Sequence, residues 1–233
     1  MRLELDSITA GYGDSTVLRS LSLTVPAGRV VALLGPNGAG KSTTLSVASG
    51  LLRPRAGRVL LDGRDVSDVS PQRRVAAGLC HVTEGNAVFG GLTVAENLRL
   101  FAAPGSESHA TERAVDAFPK LGQRMSQVAG TLSGGEQRML ALARIYGRGP
   151  QVVLLDEISL GLSPLIVDEI FEFLARLAAE GASLLVVEQY VSKVLVLADL
   201  VYVLVRGRLE LAAEPGELNG TDLLARYLGA EVG

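Results

Sequence analysis

The stretch Arg29-Val30-Val31-Ala32-Leu33-Leu34-Gly35-Pro36-Asn37-Gly38-Ala39-Gly40-Lys41-Ser42 decides the fold. Its first half is a nearly continuous apolar run, the pattern of a parallel strand buried on both faces. Its second half has the spacing G-x-x-x-x-G-K-S, and a helix is expected to follow directly from Lys41 to Leu52, ending at Arg53-Pro54. Strand, glycine-rich turn and helix in that order let backbone amides converge at a helix N-terminus, where the helix dipole favours phosphate. Lys41 is then placed to reach the β- and γ-phosphates of a nucleotide, and Ser42 to offer its hydroxyl to Mg²⁺, while Pro36 and Asn37 shape the turn. A P-loop alone leaves kinase, GTPase and transporter ATPase open.

Working outward, the N-terminal side reads as strands. Leu3 and Leu5, then Leu21, Leu23 and Val25, alternate with polar residues, and Val59-Leu60-Leu61 closes on Asp62-Gly63, a hairpin signal. On the C-terminal side the character changes at Thr93, which forms a Thr-x-x-Glu capping box with Glu96 ahead of a helix to Ala103. After Pro104-Gly105-Ser106 a second helix is expected over Ala110 to Leu121. This helical lobe interrupts an α/β core that resumes with a helix from Ser133 to Gly147, a buried strand Val152 to Leu155, a helix Pro164 to Glu180 capped by Ser163, and a buried strand Leu184 to Val187. A helix, a strand and a terminal helix around Asp222 to Leu228 complete the chain. Such alternation predicts a mostly parallel sheet with helices on its faces.

Composition narrows the function. The 233 residues carry 22 Lys and Arg against 25 Asp and Glu, a formal charge of -3, which gives no general attraction for nucleic acid or anionic lipid. The longest oily stretch, Val194 to Val205, is cut by Asp199 and is too short to span a bilayer. The N-terminal residues alternate charge and Leu where a secretory signal needs an unbroken apolar core, so a cytosolic chain is expected. Cys80 is the only cysteine, and its apolar setting favours a small core residue over a reactive thiol.

Two further elements select among the P-loop classes. Leu132-Ser133-Gly134-Gly135-Glu136-Gln137 opens a helix with Ser133 and Glu136 in capping-box spacing. A well-capped helix explains neither the glycine pair nor the position just ahead of Val152-Val153-Leu154-Leu155-Asp156-Glu157. That second segment buries four apolar residues and delivers two carboxylates at a strand's C-terminal edge, where open α/β sheets bind ligands, with the P-loop expected on a neighbouring strand. Asp156 is placed to hold Mg²⁺ through water and Glu157 to polarise the attacking water as general base.

With these motifs the sequence resembles, nearly end to end, the ATP-binding subunits of ABC transporters, whose signature is the 132–137 hexapeptide. The resemblance implies a P-loop NTPase core with a mostly parallel sheet (about 1–87 and 132–233), an N-terminal antiparallel β-subdomain and an inserted helical signature lobe (about 88–145). It implies ATP bound by Gly35, Pro36, Asn37, Gly38, Ala39, Gly40, Lys41, Ser42 and Thr43, with Tyr12 of Ala10-Gly11-Tyr12-Gly13 stacking on adenine. Catalysis falls to Glu157 with Glu84 and Gln189, and Mg²⁺ to Ser42, Asp156 and Glu84. Leu132, Ser133, Gly134, Gly135, Glu136 and Gln137 would act in trans on nucleotide held by a second ATPase subunit, identical or related.

The departures from the family pattern are informative. Glu84 replaces the usual Gln of the Q-loop, Gln189 the usual switch His, and Ser159-Leu160-Gly161-Leu162 lacks the usual Asp of the D-loop. Glu at the first position and Val-Glu-Gln at the second recur in the ATPases of branched-chain amino acid importers. Thr83, Asn86, Ile158 and Tyr190 depart from that subgroup's wording. The implied assembly sits on the cytoplasmic face of a membrane through two permease subunits, docked on the helical lobe near Phe89, Leu92 and Phe101, and works indirectly with a substrate-binding protein. A urea or amide importer, a lipid or polysaccharide exporter, and a soluble ABC ATPase acting on DNA or ribosomes remain as alternatives.

Overall fold

A computed structural model describes residues 1–83, 88–188 and 190–218. Glu84, Asn86, Gln189 and the helix expected around Asp222 to Leu228 lie outside these residues.

The antiparallel sheet comes first. Strands β1 (Leu3–Ala10), β2 (Leu18–Val25), β4 (Ala56–Leu61) and β5 (Arg64–Asp65) order as β2-β1-β4-β5. The β4–β5 turn places Asp62 at φ 47 and Gly63 at φ 76, the two positive dihedrals of the tight turn that Asp-Gly favours. The second sheet contains β3 (Val30–Leu34), β6 (Leu79–Val82), β7 (Val152–Asp156), β8 (Ser183–Val187), β9 (Leu200–Val205) and β10 (Arg208–Ala213), ordered β10-β9-β3-β8-β7-β6. Only β10 runs antiparallel to its neighbour. The sequence suggested that the P-loop strand β3 and the carboxylate strand β7 are neighbours; they are not, because β8 lies between them.

Side chains of β3 alternate between two cores. Val31 and Leu33 join the antiparallel sheet's Leu3, Leu5, Leu21 and Val59. Val30, Ala32 and Leu34 face the opposite layer. Each such fully buried Val or Leu side chain contributes about 1.5–3 kcal/mol, so the apolar run anchors β3 to both layers. Asp199, which breaks the oily stretch, stands immediately before β9: its carboxylate accepts from Val30 N–H at 2.8 Å and from Arg29 at 2.7 Å. What precedes it is α8 (Val191–Leu197).

Helix α1 (Lys41–Ser49) lies between the sheets and contacts β1, β6 and β7. It ends earlier than expected, because Gly50 at φ 81 reverses the chain and Leu52 N–H closes on Ser46 C=O at 3.0 Å. Between β6 and β7 stand α3 (Val94–Phe101), α4 (Glu107–Ala117), α5 (Pro119–Gly122) and α6 (Gly134–Ala143). The helix expected over 110–121 breaks at Phe118, since Pro119 cannot continue the hydrogen-bond ladder. The helix expected to Gly147 tightens into a 3₁₀ turn from Arg144. Helix α7 (Pro164–Ala179) covers the sheet, its Phe173 meeting Phe118 at 4.9 Å and Tyr146 at 5.6 Å between ring centres.

Helix α2 (Pro71–Ala76) supplies a strut that the sequence did not reveal. Arg74 is 1% exposed and donates to the carbonyls of Val47 and Ala48 at the end of α1, and to those of Val66, Ser67 and Val69. A guanidinium there complements the negative end of the helix dipole and satisfies otherwise orphaned carbonyls. Replacing Arg74 with Ala is expected to cost about 3 kcal/mol, a fall of roughly 6–12 °C in unfolding temperature, measurable by calorimetry.

Candidate functional site

The site is built where β3 hands over to α1. Gly35 takes φ 152, and a Cβ there would lie 2.2 Å from the Leu204 carbonyl, so only glycine lets the loop cross β9. Gly40 at φ 109 turns the chain into the helix. The loop is pinned from behind by the β9–β10 turn: Gly207 N–H donates to Ala39 C=O at 2.9 Å, and Arg19 N–H from β2 to Gly207 C=O at 2.9 Å. Asn37 and Gly38 are exposed at the tip, Ala39 is buried beneath it, and Pro36 C=O accepts from Ala39 N–H at 3.1 Å.

Lys41 lies under the loop. Its Nζ donates to the carbonyls of Gly35 at 2.8 Å and Pro36 at 3.2 Å. Burial lowers its pKa, against the opposing charges of Glu157 and Asp156. Ser42 Oγ donates to Asp156 Oδ1 at 3.2 Å, joining the P-loop to the end of β7 across β8. An all-oxygen pair of hydroxyl and carboxylate suits a hard divalent cation that takes its remaining ligands from phosphate and water. Glu157 follows at φ 44, a left-handed conformation costing a non-glycine residue about 1–2 kcal/mol, and its N–H donates to Val187 C=O at 2.9 Å. A depression of about 300 Å³ is lined by Val17, Gly38, Gly40, Lys41, Ser42, Thr43 and Glu157. Thus Lys41, Ser42, Thr43, Asp156 and Glu157 gather as the sequence predicted.

Tyr12 is 56% exposed in the turn after β1. Arg55, which sequence reasoning missed, clamps this turn: its guanidinium donates to Thr16 Oγ1 at 3.1 Å, Ser15 C=O at 3.1 Å and Gly13 C=O. No spacing rule links residues 40 apart in the chain, so only the fold could reveal it.

The 132–137 segment stands elsewhere, on α6, and none of its residues lines the depression. Ser133 Oγ accepts from Glu136 N–H at 3.4 Å, and Glu136 Oε2 accepts from Ser133 N–H at 2.9 Å, so the capping box is complete. Arg124 pairs with Glu136 at 2.7 Å. Burial pushes the Glu136 carboxyl up, but the Ser133 hydrogen bonds and the Arg124 and Lys120 charges outweigh it and hold the pKa low. Leu132 is buried, and Gln137 ties the entry to the helix by donating to Ala129 C=O at 3.2 Å and Leu132 C=O at 3.3 Å. Gly134 faces open space at the helix N-terminus, whereas a Cβ at Gly135 would lie 3.2 Å from the Ile166 side chain, so Gly135 lets α6 pack closely on the start of α7.

The apolar strand, phosphate-binding turn and paired carboxylates on a parallel sheet define a P-loop nucleotide-binding ATPase. Residues 18–159 match the family described as ABC transporter, and the chain belongs to that family as an ATP-hydrolysing, ATP-binding transporter subunit. It is 38% identical over 210 residues to the high-affinity branched-chain amino acid transport ATP-binding protein BraG of Pseudomonas aeruginosa, covering 89% of this chain and 90% of that one. It is 36% identical to the probable branched-chain amino acid transport ATP-binding protein LivF of Archaeoglobus fulgidus, with 91% of each covered. It is also 29% identical to the lipopolysaccharide export system ATP-binding protein LptB of Haemophilus influenzae, with 98% of each covered. The crystal structure of the ADP conformation of the ABC transporter cassette MJ1267 superposes with a TM-score of 0.79 at 26% identity, covering 92% of this chain and 91% of that one.

Arg55→Ala is expected to free the Tyr12 turn. Amide hydrogen exchange of residues 11–16 should rise about tenfold or more, with the β3–α1 amides unchanged.

Proposed function

We propose that this chain hydrolyses ATP at a face shared with a second ATPase subunit, and thereby powers import of branched-chain, hydrophobic amino acids through two permease subunits. The observation that carries the hydrolytic reading is the convergence of Lys41, Ser42 and Glu157 on one depression at the carboxyl edge of the sheet, with Asp156 hydrogen-bonded to Ser42 beside it.

Residue roles follow from position and chemistry. The amides of 35–43 and Lys41 hold the β- and γ-phosphates; Ser42 and Asp156 hold Mg²⁺, which supplies charge neutralisation on the transferring phosphoryl group. Glu157 accepts the proton of the attacking water as its oxygen bonds the γ-phosphorus and the bond to the ADP oxygen breaks. The exposed Tyr12 ring stacks on adenine. Gln189 and Glu84 act around the γ-phosphate and the metal; Gln189, a neutral amide, does so without titrating near neutral pH. Leu132 to Gln137 of the partner subunit complete the site, Ser133, Gly134 and Gly135 presenting the amide end of α6 to the γ-phosphate. The regions 1–87 with 132–233, and 88–145, act as nucleotide core and signature lobe.

The names of the relatives BraG and LivF, together with Glu84 and Val187-Glu188-Gln189, support the amino acid reading. Identification of the permease and binding-protein companions of the purified membrane complex tests it: companions of a urea importer, an exporter, or ribosomes would replace it.

Glu157→Gln should retain ATP binding and lose hydrolysis by about 10²-fold or more, trapping a paired state visible by light scattering. Hydrolysis at the unaltered rate would remove Glu157 from its role. Lys41→Ala should instead weaken nucleotide binding itself.

A groove of about 590 Å³ supports a permease dock on the helical lobe; of the residues expected there Phe101 lines it, and Phe89 and Leu92 do not. It is lined by Val75, Leu79, Cys80, Leu100 and Phe101 with Arg144 and Arg148. Arg144 lies 4.1 Å over the Phe101 ring, its Nε is buried without a hydrogen-bond partner, and burial lowers its pKa to about 10. A cation so placed calls for a carboxylate from an apolar segment of the membrane subunit. Burial pushes the Cys80 thiol up to about 11, which fits wall and not chemistry. Arg144→Glu should weaken assembly with the permease about 30-fold or more while leaving nucleotide affinity of the isolated subunit unchanged, as read by co-purification and nucleotide titration.

A further inference from the structure

The last rung of the β7–β8 ladder is Asp156 beside Val187. Beyond it the two chains stay tied, first by Glu157 N–H on the Val187 carbonyl and then by a side chain. The Ser159 amide donates to Glu188 Oε1 at 3.0 Å, and the Ser159 hydroxyl donates to Glu188 Oε2. Ser159 is fully buried, Glu188 is 3% exposed, and Ile158 between the two attachment points is buried in the core. The segment 157–159 is thus fixed at both ends and in the middle.

A carboxylate withdrawn from water to hold one serine gains little net stability, because its desolvation offsets most of what the hydrogen bonds return. What it does secure is orientation. Glu157, at φ 44, is one end of the clamped segment; Gln189 is covalently next to the clamping residue; and past Ser159 the chain turns through Gly161 at φ 74, leaving Leu160 exposed.

We propose that Glu188 is a positioning residue for hydrolysis: through Ser159 it orients Glu157 and anchors the start of the turn that runs on through Leu160 and Gly161. The proposal rests on the reading of Glu157 as general base.

The test is steady-state hydrolysis by the assembled transporter carrying Glu188→Ala, Glu188→Gln or Ser159→Ala, alongside nucleotide affinity and unfolding temperature. Glu188→Ala and Ser159→Ala should each lower kcat about tenfold or more with KM changed less than about threefold, and the double variant should fall no further than the worse single one. Glu188→Gln keeps an acceptor for the Ser159 amide and should be intermediate. If Glu188→Ala does not fold, the other two carry the test. Unchanged kcat well below the unfolding transition, or full additivity, would overturn the proposal and reduce the pair to a structural tie. Glu157→Gln in the same assay separates the two ideas: hydrolysis by that variant sinks the general-base reading, whereas its inactivity beside normal Glu188 and Ser159 variants sinks the clamp alone.

Discussion

Strands β3, β7 and β8 are buried along their full five-residue lengths, and their backbone groups are consumed by parallel ladders. Polar chemistry therefore has somewhere to go only where the ladders run out. At that edge the chain leaves β3 as the P-loop, leaves β7 as Asp156-Glu157 and leaves β8 as Glu188. The strand order β3-β8-β7 sets the spacing between these exits. The Ser42–Asp156 hydrogen bond spans it, and the Glu188–Ser159 pair closes its far side.

Holding that edge still requires support from outside it. Arg74 fastens the far end of α1 to the hairpin of the antiparallel sheet, and the Gly207 turn fastens the loop at the near end. The P-loop helix is thereby fixed at both termini, which keeps backbone amides oriented before any phosphate arrives. Preorganised donors of this kind incur no reorganisation when charge develops, so rigidity at the edge is a catalytic property as much as a stabilising one.

Local features were legible in the sequence. The apolar run 30–34, the glycines of 35–40, the capping boxes at Thr93 and Ser133, and the Asp62-Gly63 turn each follow from neighbouring residues and were read with their correct partners. Long-range ties were not legible. Arg55 on the Tyr12 turn, Arg74 under α1 and Glu188 on Ser159 join residues that no period or spacing connects. Helix ends were misjudged where one residue overrides the pattern: Gly50 ended α1 before the Arg53-Pro54 signal, and Pro119 split a helix that its apolar spacing ran through. Sheet order escaped as well, because three equally apolar strands carry no label saying which lies between the others.

The segment 132–137 is where the proposed pairing with a second subunit is decided. Its capped helix stands apart from the depression that holds Lys41 and Glu157, and none of residues 132–137 lines that depression. The central claim is that this end meets nucleotide on another subunit. Specific ATPase activity measured across a dilution series, with the pairing state followed in the same samples, tests it most directly. The account predicts activity per subunit that rises with concentration in step with pairing and vanishes toward the monomer; the same activity per subunit from strictly monomeric protein would contradict it.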